Sequence, residues 1–557
     1  MRFFKSLAVC LLLLFLLSAC TTNPATKSPT AAPVEVPAAP SYEDATPIVL
    51  SDGRITVDGA AAGTDDTAAV YTANDIVYYE SGKDFTYGEG SEQDAHTPEE
   101  AAAHTVVHIT KPGAYRLSGK LSLGQIAVDL GSEAKKDPSA VVTLVLDGVD
   151  ITCQVAPAVI FYNVYECGSD DTETASKDVD TSAAGANVII ADGSVNTVNG
   201  SYVARIYEPG TVVLNEDNTE VEDAEKLHKY DGAFYSKRSM NLFGGEENTG
   251  VLNIYAENEG LDSEMHLTIN GGNIHIESGN DGINTNEDGV SVTTVNGGTL
   301  SIKVTGQTGE GDGIDSNGWL VIRGGTVIAA ACSDSADAGI DSDMGIHITG
   351  GTVIASGHML DRIEDGGQNY AVFNFAQTQT GSETVTMKDE RGTAVLETTP
   401  ENAYSILIYS SAELTEGSYT LWSDGTQLAG STGGMMMGGP GGMAPGGMEQ
   451  PEGFEFPEGG ETPEGGSFPQ GGNRPEGMTP PEGFEFPEGG NFPQGGNRPE
   501  GMTPPEGFEF PEGGNFPQGG GRPGGAWAGN MGEQELSADF VIRDGGNMFS
   551  GISPYSE

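Results

Sequence analysis

The sequence predicts an all-β protein: a right-handed parallel β-helix closed by a C-terminal β-strand cap. Two observations predict it. Glycine pairs recur at a near-constant interval, and short runs of alternating aliphatic residues flank each pair. A third, a column of Asp and Asn upstream of the pairs, gives every repeat a third strand.

The pairs stand at Gly244-Gly245, Gly271-Gly272, Gly297-Gly298, Gly324-Gly325 and Gly350-Gly351, spaced by 27, 26, 27 and 26 residues. After them come Leu252 and Ile254, Ile274 and Ile276, Leu300 and Ile302, Val327 and Ala329, then Val353 and Ala355. Before them come Met240 and Leu242, Leu267 and Ile269, Val292 and Val295, Leu320 and Ile322, then Ile346 and Ile348. Alternation with a period of two buries one face of a strand, and glycine lets the backbone turn where a side chain would clash. The third element reads Gly260-Leu261-Asp262-Ser263, Gly282-Ile283-Asn284-Thr285, Gly313-Ile314-Asp315-Ser316 and Gly339-Ile340-Asp341-Ser342, with Ala233-Phe234-Tyr235-Ser236 in the same frame. Three strands per repeat and no helix point to stacked coils, because one coil cannot bury its own apolar face. A propeller blade needs ~40 residues, and a leucine-rich repeat has a different signature.

The remaining elements follow in order. Residues 1–20 read as a lipoprotein signal: Arg2 and Lys5, an apolar run from Leu7 to Leu17, then Ser18, Ala19 and the lipid-accepting Cys20. Residues 21–43, rich in Thr, Ala and Pro, read as a tether. Residues 44–365 form the β-helix, with its first rungs and N-terminal cap before residue 130, an acidic loop near residues 89–100 and an acidic insertion at residues 170–180. Hairpin-like strands in residues 366–430 begin the cap. Residues 431–532 collapse to Gly, Pro, Glu and Met, with a 24-residue unit starting at Pro481 and again at Pro505. Such a composition predicts a disordered insertion, and residues 533–557 supply the cap's last strand.

A formal net charge of -57 repels nucleic acid phosphates and anionic lipid, so the expected contact with a membrane is the N-terminal lipid alone. Cys153 and Cys167 could pair, but two cysteines are no disulfide framework. The strongest chemical constellation is acidic. Asp262, Asn284, Asp315 and Asp341 share one column, Glu259, Asp281 and Asp312 another, and Asn286, Asn317 and Asp343 a third. Coils stack ~4.8 Å apart, where bare carboxylates repel and Ca²⁺, with oxygen ligands at ~2.3–2.6 Å, fits between rungs. Ca²⁺ is therefore the expected cofactor, on Asp262, Asp281, Asn284, Asp312, Asp315, Asp341 and Asp343. The alternative is corner polar groups satisfying local backbone donors. Trp319, Tyr235 and Tyr255 are the candidate aromatic platforms for sugar rings, with Tyr370 a weaker one. Arg323 and Lys303 are the basic residues nearest the ladder, and either could act as the base of a calcium-dependent lyase.

Pro112-Gly113-Ala114-Tyr115-Arg116-Leu117-Ser118-Gly119, Gly124 to Asp129, Leu144 to Ile151, the Gly-Ile-Asp-Ser rungs and the Gly/Met-rich insertion together resemble a clostridial family of cell-surface carbohydrate-binding β-helix proteins. The resemblance runs from about Asp75 to the C-terminus. It implies a polysaccharide-lyase-like β-helix that binds calcium and plant cell-wall polysaccharide, pectic or cellulosic, without established lyase activity. The expectation is a lipid-anchored, extracellular, calcium-dependent carbohydrate-binding protein with a polysaccharide as its partner. A calcium-dependent pectate lyase is the alternative, and a structural surface protein the third reading.

Overall fold

The computed structural model describes residues 36–307, 309–433 and 536–555. The protein is all-β: among these residues the helical elements are a single turn at Pro98–Ala102 and a 3₁₀ turn at Ala134–Lys136. No described helix is long and apolar enough to cross a membrane.

Three parallel ladders organise the body. The first runs from Gly113–Leu121 through Val142–Thr152, Ala186–Ile190, Met240–Gly244, Leu267–Ile269, Val292–Val295 and Trp319–Ile322 to Gly345–Ile348. The second runs from the end of Val142–Thr152 through Val195–Gly200, Val251–Ala256, Asn273–Ser278, Thr299–Val304 and Thr326–Ala330 to Thr352–Gly357. The third joins Thr105–Ile109, Gly124–Asp129, Val159–Asn163, Gly232–Ser236, Glu259–Ser263 and Ile283–Thr285, and a bridge from Ile283 to Ile314 extends it.

Register explains why the pattern repeats. Ile274, Leu300, Val327 and Val353 stack in one column, and Ile276, Ile302, Ala329 and Ala355 in the next. All are buried in one continuous core, each large side chain contributing about 1.5–3 kcal/mol. One expected pair is shifted. The column partner of Leu267 and Leu320 is Thr293 rather than Val292, and Thr293 is fully buried. Its hydroxyl lies 3.1 Å from that of Thr285, which is 2.8 Å from Ser316 Oγ. A polar chain thus occupies a place that hydrophobic periodicity assigns to an aliphatic residue.

The second glycine of the last four pairs is left-handed, for example Gly325 at φ +75°, and a Cβ there would meet Gly298 O at 2.7 Å. Gly392 has a similar φ of +79° but open space around it. Gly325→Ala is expected to cost both backbone strain, of order 1–3 kcal/mol, and a clash within the stack. Gly392→Ala should cost only the strain. Equal urea midpoints for the two variants would contradict the close stacking of the glycine column.

Both ends of the stack are covered. Thr46–Leu50 pairs parallel with Gly113–Leu121 and antiparallel with Thr56–Val57. Packing starts earlier than the expected tether boundary: Ala39 and Tyr42 lie against Val145, Ile189 and Phe243, with the Arg116 guanidinium 5.5 Å from the Tyr42 ring centre. The acidic stretch near residues 89–100 is not wholly loop, because Thr97 and Glu100 form a capping box that starts Pro98–Ala102. At the other end Tyr404–Ser410 runs antiparallel to Thr352–Gly357 and to Tyr370–Gln379, and Gly546–Pro554 lies parallel to Tyr370–Gln379. Phe373, Phe540 and Phe549 anchor a separate core there. Cys20 and the Gly/Pro-rich insertion lie outside the described residues. Cys153 and Cys167 are free thiols and do not pair.

One excursion had no sequence expectation. Between Val195–Gly200 and Gly232–Ser236 the chain leaves the stack, pairs Val203–Tyr207 with Lys226–Tyr230, and carries a smaller hairpin of Val213–Leu214 and Val221–Asp223. Its return strand ends at Tyr230, directly before Asp231.

Candidate functional site

The third ladder brings the acidic columns together, in two groups rather than one. In the first, one carboxylate oxygen each from Asp231, Glu259 and Asp262 lies within 4.8 Å of the others. Gly232–Ser236 pairs with Glu259–Ser263, setting Tyr235 beside Asp262 and Asp262 beside Asn284. The group is dry: Glu259 is 5 % exposed and Asp262 0 %. Asn284 Nδ2 donates to Glu259 Oε1 at 3.1 Å, and Asn286 Nδ2 to Asp262 Oδ1 at 2.7 Å. Glu259 Oε2, Asp262 Oδ2 and Asn284 Oδ1 are buried without a hydrogen-bond partner. Buried polar atoms are normally satisfied, so these orphaned acceptors call for a cation or protons.

Electrostatics agree. Burial first, then Asp262, Asp231 and Asp281, push the Glu259 carboxyl well above its ordinary range. Burial, then Asp231 and Glu264, do the same to Asp262. One cation stands inside the group, Lys229, whose Nζ is 2.6 Å from Asp231 Oδ2. Its pKa is raised to about 12 by Asp231, Glu259 and Asp262 against the opposing effect of burial. Sequence reasoning missed Asp231 and Lys229 because Lys229 arrives on the return strand of the excursion and Asp231 directly after it. The Asp231-Gly232 dipeptide, matching Asp281-Gly282 and Asp312-Gly313, was the available signal.

The second group is Asp312, Asp315 and Asp341, again with one oxygen each within 4.8 Å. Burial, followed by Asp281 and Asp341, pushes Asp312 up to about 9. Burial, followed by neighbouring aspartates, pushes Asp315 and Asp341 to about 7. Asp361, from the segment leading into the cap, is close enough to raise both.

The other expected ligands have separate positions. Asp281 is held mainly as a backbone acceptor, taking the Asp312 N–H at 2.6 Å. Asn284 donates into the first group. Asp343 is exposed beside the second group without joining it, its pKa raised by partial desolvation and then by Asp288 and Asp361.

The aromatic candidates separate by exposure. Tyr235 is a correction: it is 1 % exposed, meets Tyr230 edge-on at 5.1 Å and donates its hydroxyl to Glu264 Oε1 at 2.6 Å. No face remains for a sugar, because its ladder position turns the ring into the body. Tyr370 is likewise buried. Tyr255 is 46 % exposed and lines a cleft of about 560 Å³ with Gln154, Asn199, Glu277 and Gln307. Trp319 is half-buried on the first ladder, between Val292 and Gly345. Arg323 bonds Asp178 at 3.2 Å and Lys303 reaches Glu401 at 3.5 Å. Each basic candidate is thus engaged by a surface carboxylate outside the two groups.

Residues 103–386, which contain all three ladders and both carboxylate groups, match the family model described as carbohydrate-binding domain-containing protein. The chain belongs to that family. A carbohydrate-binding domain-containing protein from Acetivibrio thermocellus is 29 % identical over 174 residues, or 31 % of this chain. The match spans 45 % of that relative's length. A solved polysaccharide lyase-like protein from C. thermocellum is similar at 21 % identity with a TM-score of 0.30, over 56 % of this chain and 93 % of that one. Within the carbohydrate-binding domain, the grouped carboxylates are the most concentrated chemistry the fold creates.

Proposed function

We propose that the chain is an exported, lipid-anchored protein that recognises plant cell-wall polysaccharide through calcium, and that its three ladders wind as a right-handed parallel β-helix. The observation that carries the calcium reading is the pair of three-carboxylate groups, one of them with two buried orphaned carboxylate oxygens beside the orphaned Asn284 amide oxygen. The residues fit the ion. Asp231, Glu259, Asp262 and the Asn284 amide oxygen offer only hard oxygen donors, as do Asp312, Asp315 and Asp341, and such sets suit Ca²⁺. An acidic chain such as pectate is repelled by a protein of net charge -57, and a cation bound by both offsets that repulsion. Cys20, at the end of the apolar run, supports a lipid anchor holding the protein at the outer face of the cell membrane.

Binding rather than lyase chemistry is the better reading of the site. A lyase needs a proton-free base. The basic residue at the first group, Lys229, is an ammonium paired with Asp231, and Arg323 and Lys303 sit elsewhere. Affinity electrophoresis through gels containing polygalacturonate, with calcium or with chelator, tests the proposal. Retardation with calcium that chelator abolishes is expected. Equal mobility in polysaccharide and blank gels would refute it, and unsaturated uronate absorbance appearing during incubation would replace it with the lyase reading.

A further inference from the structure

The excursion builds a second concave site. Where the segment around residues 76–88 meets Val203–Tyr207, a cleft of about 770 Å³ opens, lined by Tyr78, Tyr87, Tyr207, Leu227 and His228 among others. Its walls are fixed. The Glu89 N–H donates to Arg205 O and the Tyr207 N–H to Tyr87 O, both at 2.9 Å. A Cβ on Gly88 would meet Arg205 O at 2.2 Å, so the two backbones touch. Cations orient two of the rings: Lys83 Nζ lies 5.4 Å from the centre of Tyr87, and the Arg205 guanidinium 5.7 Å from Tyr207. The three tyrosines are half-buried and Leu227 is 38 % exposed.

We propose that this tyrosine-lined cleft is a glycan subsite for a neutral hexose polymer, separate from the calcium-dependent carboxylate groups. The inference rests on the carbohydrate-binding reading and deepens it. Pre-formed clefts with apolar and aromatic walls and few polar groups are where small ligands bind. The C–H faces of a pyranose match the negative faces of tyrosine rings. Charge sets the class. Glu80 and Asp84 line the cleft, and Lys83, the one lysine among its described lining residues, is paired to Glu80 at 3.0 Å. Among the described lining residues a uronate chain would meet carboxylates and a lysine already paired, whereas a neutral chain meets rings and acceptors. Leu227 and His228 face the cleft, while Lys229 and Asp231, just beyond them, belong to the first carboxylate group. One strand therefore serves both.

The test uses the mature full chain in affinity gels of hydroxyethyl cellulose and of polygalacturonate, each with calcium and with chelator. The wild type should be retarded by the neutral polymer equally with calcium and chelator. The double variant Tyr78→Ala/Tyr207→Ala should lose that retardation at least tenfold and keep calcium-dependent retardation by polygalacturonate. Leu227→Ala, on the exposed rim, gives a milder loss without touching the packed walls. Unchanged neutral binding in both variants, or loss of wild-type neutral binding in chelator, overturns the subsite. Retardation by polygalacturonate alone also overturns it but leaves the carbohydrate-binding reading standing. No retardation by either polymer removes both.

Discussion

Saturating calcium is expected to raise the melting temperature of the metal-free protein by roughly ten degrees. Folding places Asp231, Glu259 and Asp262 together, and Asp312, Asp315 and Asp341 together, whereas the unfolded chain keeps them apart. The ion then binds the native state only, and each site stabilises by ~2.7 kcal/mol at a hundredfold excess over its dissociation constant. Two such sites are large against a typical stability of ~5–15 kcal/mol, and each kcal/mol moves the midpoint by ~2–4 °C in a chain of 150–250 residues and about half as much in a body twice that size. Magnesium should give a smaller rise, because it demands tight octahedral geometry and surrenders its waters reluctantly. Asp315→Ala should remove about half of the calcium increment. It should leave the metal-free protein folded and no less stable, since it also removes like-charge repulsion. Differential scanning calorimetry on chelator-treated protein reads all three results, and coincident melts with calcium and chelator would return these residues to corner polar groups.

The second large effect is on pH. Asp281, Asp315 and Asp341 are pushed up to about 7 and Asp312 to about 9, in each case first by burial and then, among other influences, by nearby acidic residues. An unfolded aspartate titrates near ~3.9. Between those values the native state holds more protons than the unfolded state, so stability falls as pH rises. The contribution of these groups is therefore fully present below about pH 4, and it is lost as pH climbs through about 7 to 9. Calcium reverses the dependence because it needs the deprotonated carboxylates. The metal-free protein should melt lower at pH 8 than at pH 5, and the calcium increment should be larger at pH 8. A metal-free melting temperature that rises from pH 5 to 8, together with a pH-independent calcium increment, would show that these groups are not titrating as a buried cluster.

How far the sequence reveals this molecule depends on which signal is periodic. The glycine pairs and their flanking aliphatics mark the ladder strands from Met240 to Ala355, because parallel pairing imposes one register on every repeat. Column membership of Asp262 and Asn284 follows from the same register. Thr293 was hidden because a buried hydroxyl chain can replace an aliphatic side chain without changing the strand. Ala39 and Tyr42 were hidden because their neighbours in sequence are Pro, Ala and Ser, and only tertiary contact shows the packing. Lys229 and Asp231 are the instructive omissions. They belong to an excursion with no repeat, so the Asp-Gly dipeptide was the signal for Asp231 and nothing in the spacing placed Lys229 beside Glu259. Tyr235 misled because a residue in a polar column reads as exposed, while its ring fills the body and its hydroxyl finds Glu264.

Anomalous diffraction from crystals of the full chain grown with calcium tests the central claim most directly. The account predicts two strong peaks, one between Asp231, Glu259 and Asp262 and one between Asp312, Asp315 and Asp341, each with oxygen ligands at ~2.3–2.6 Å. Maps with no peak at either group, from protein that still binds polygalacturonate in chelator, would contradict it.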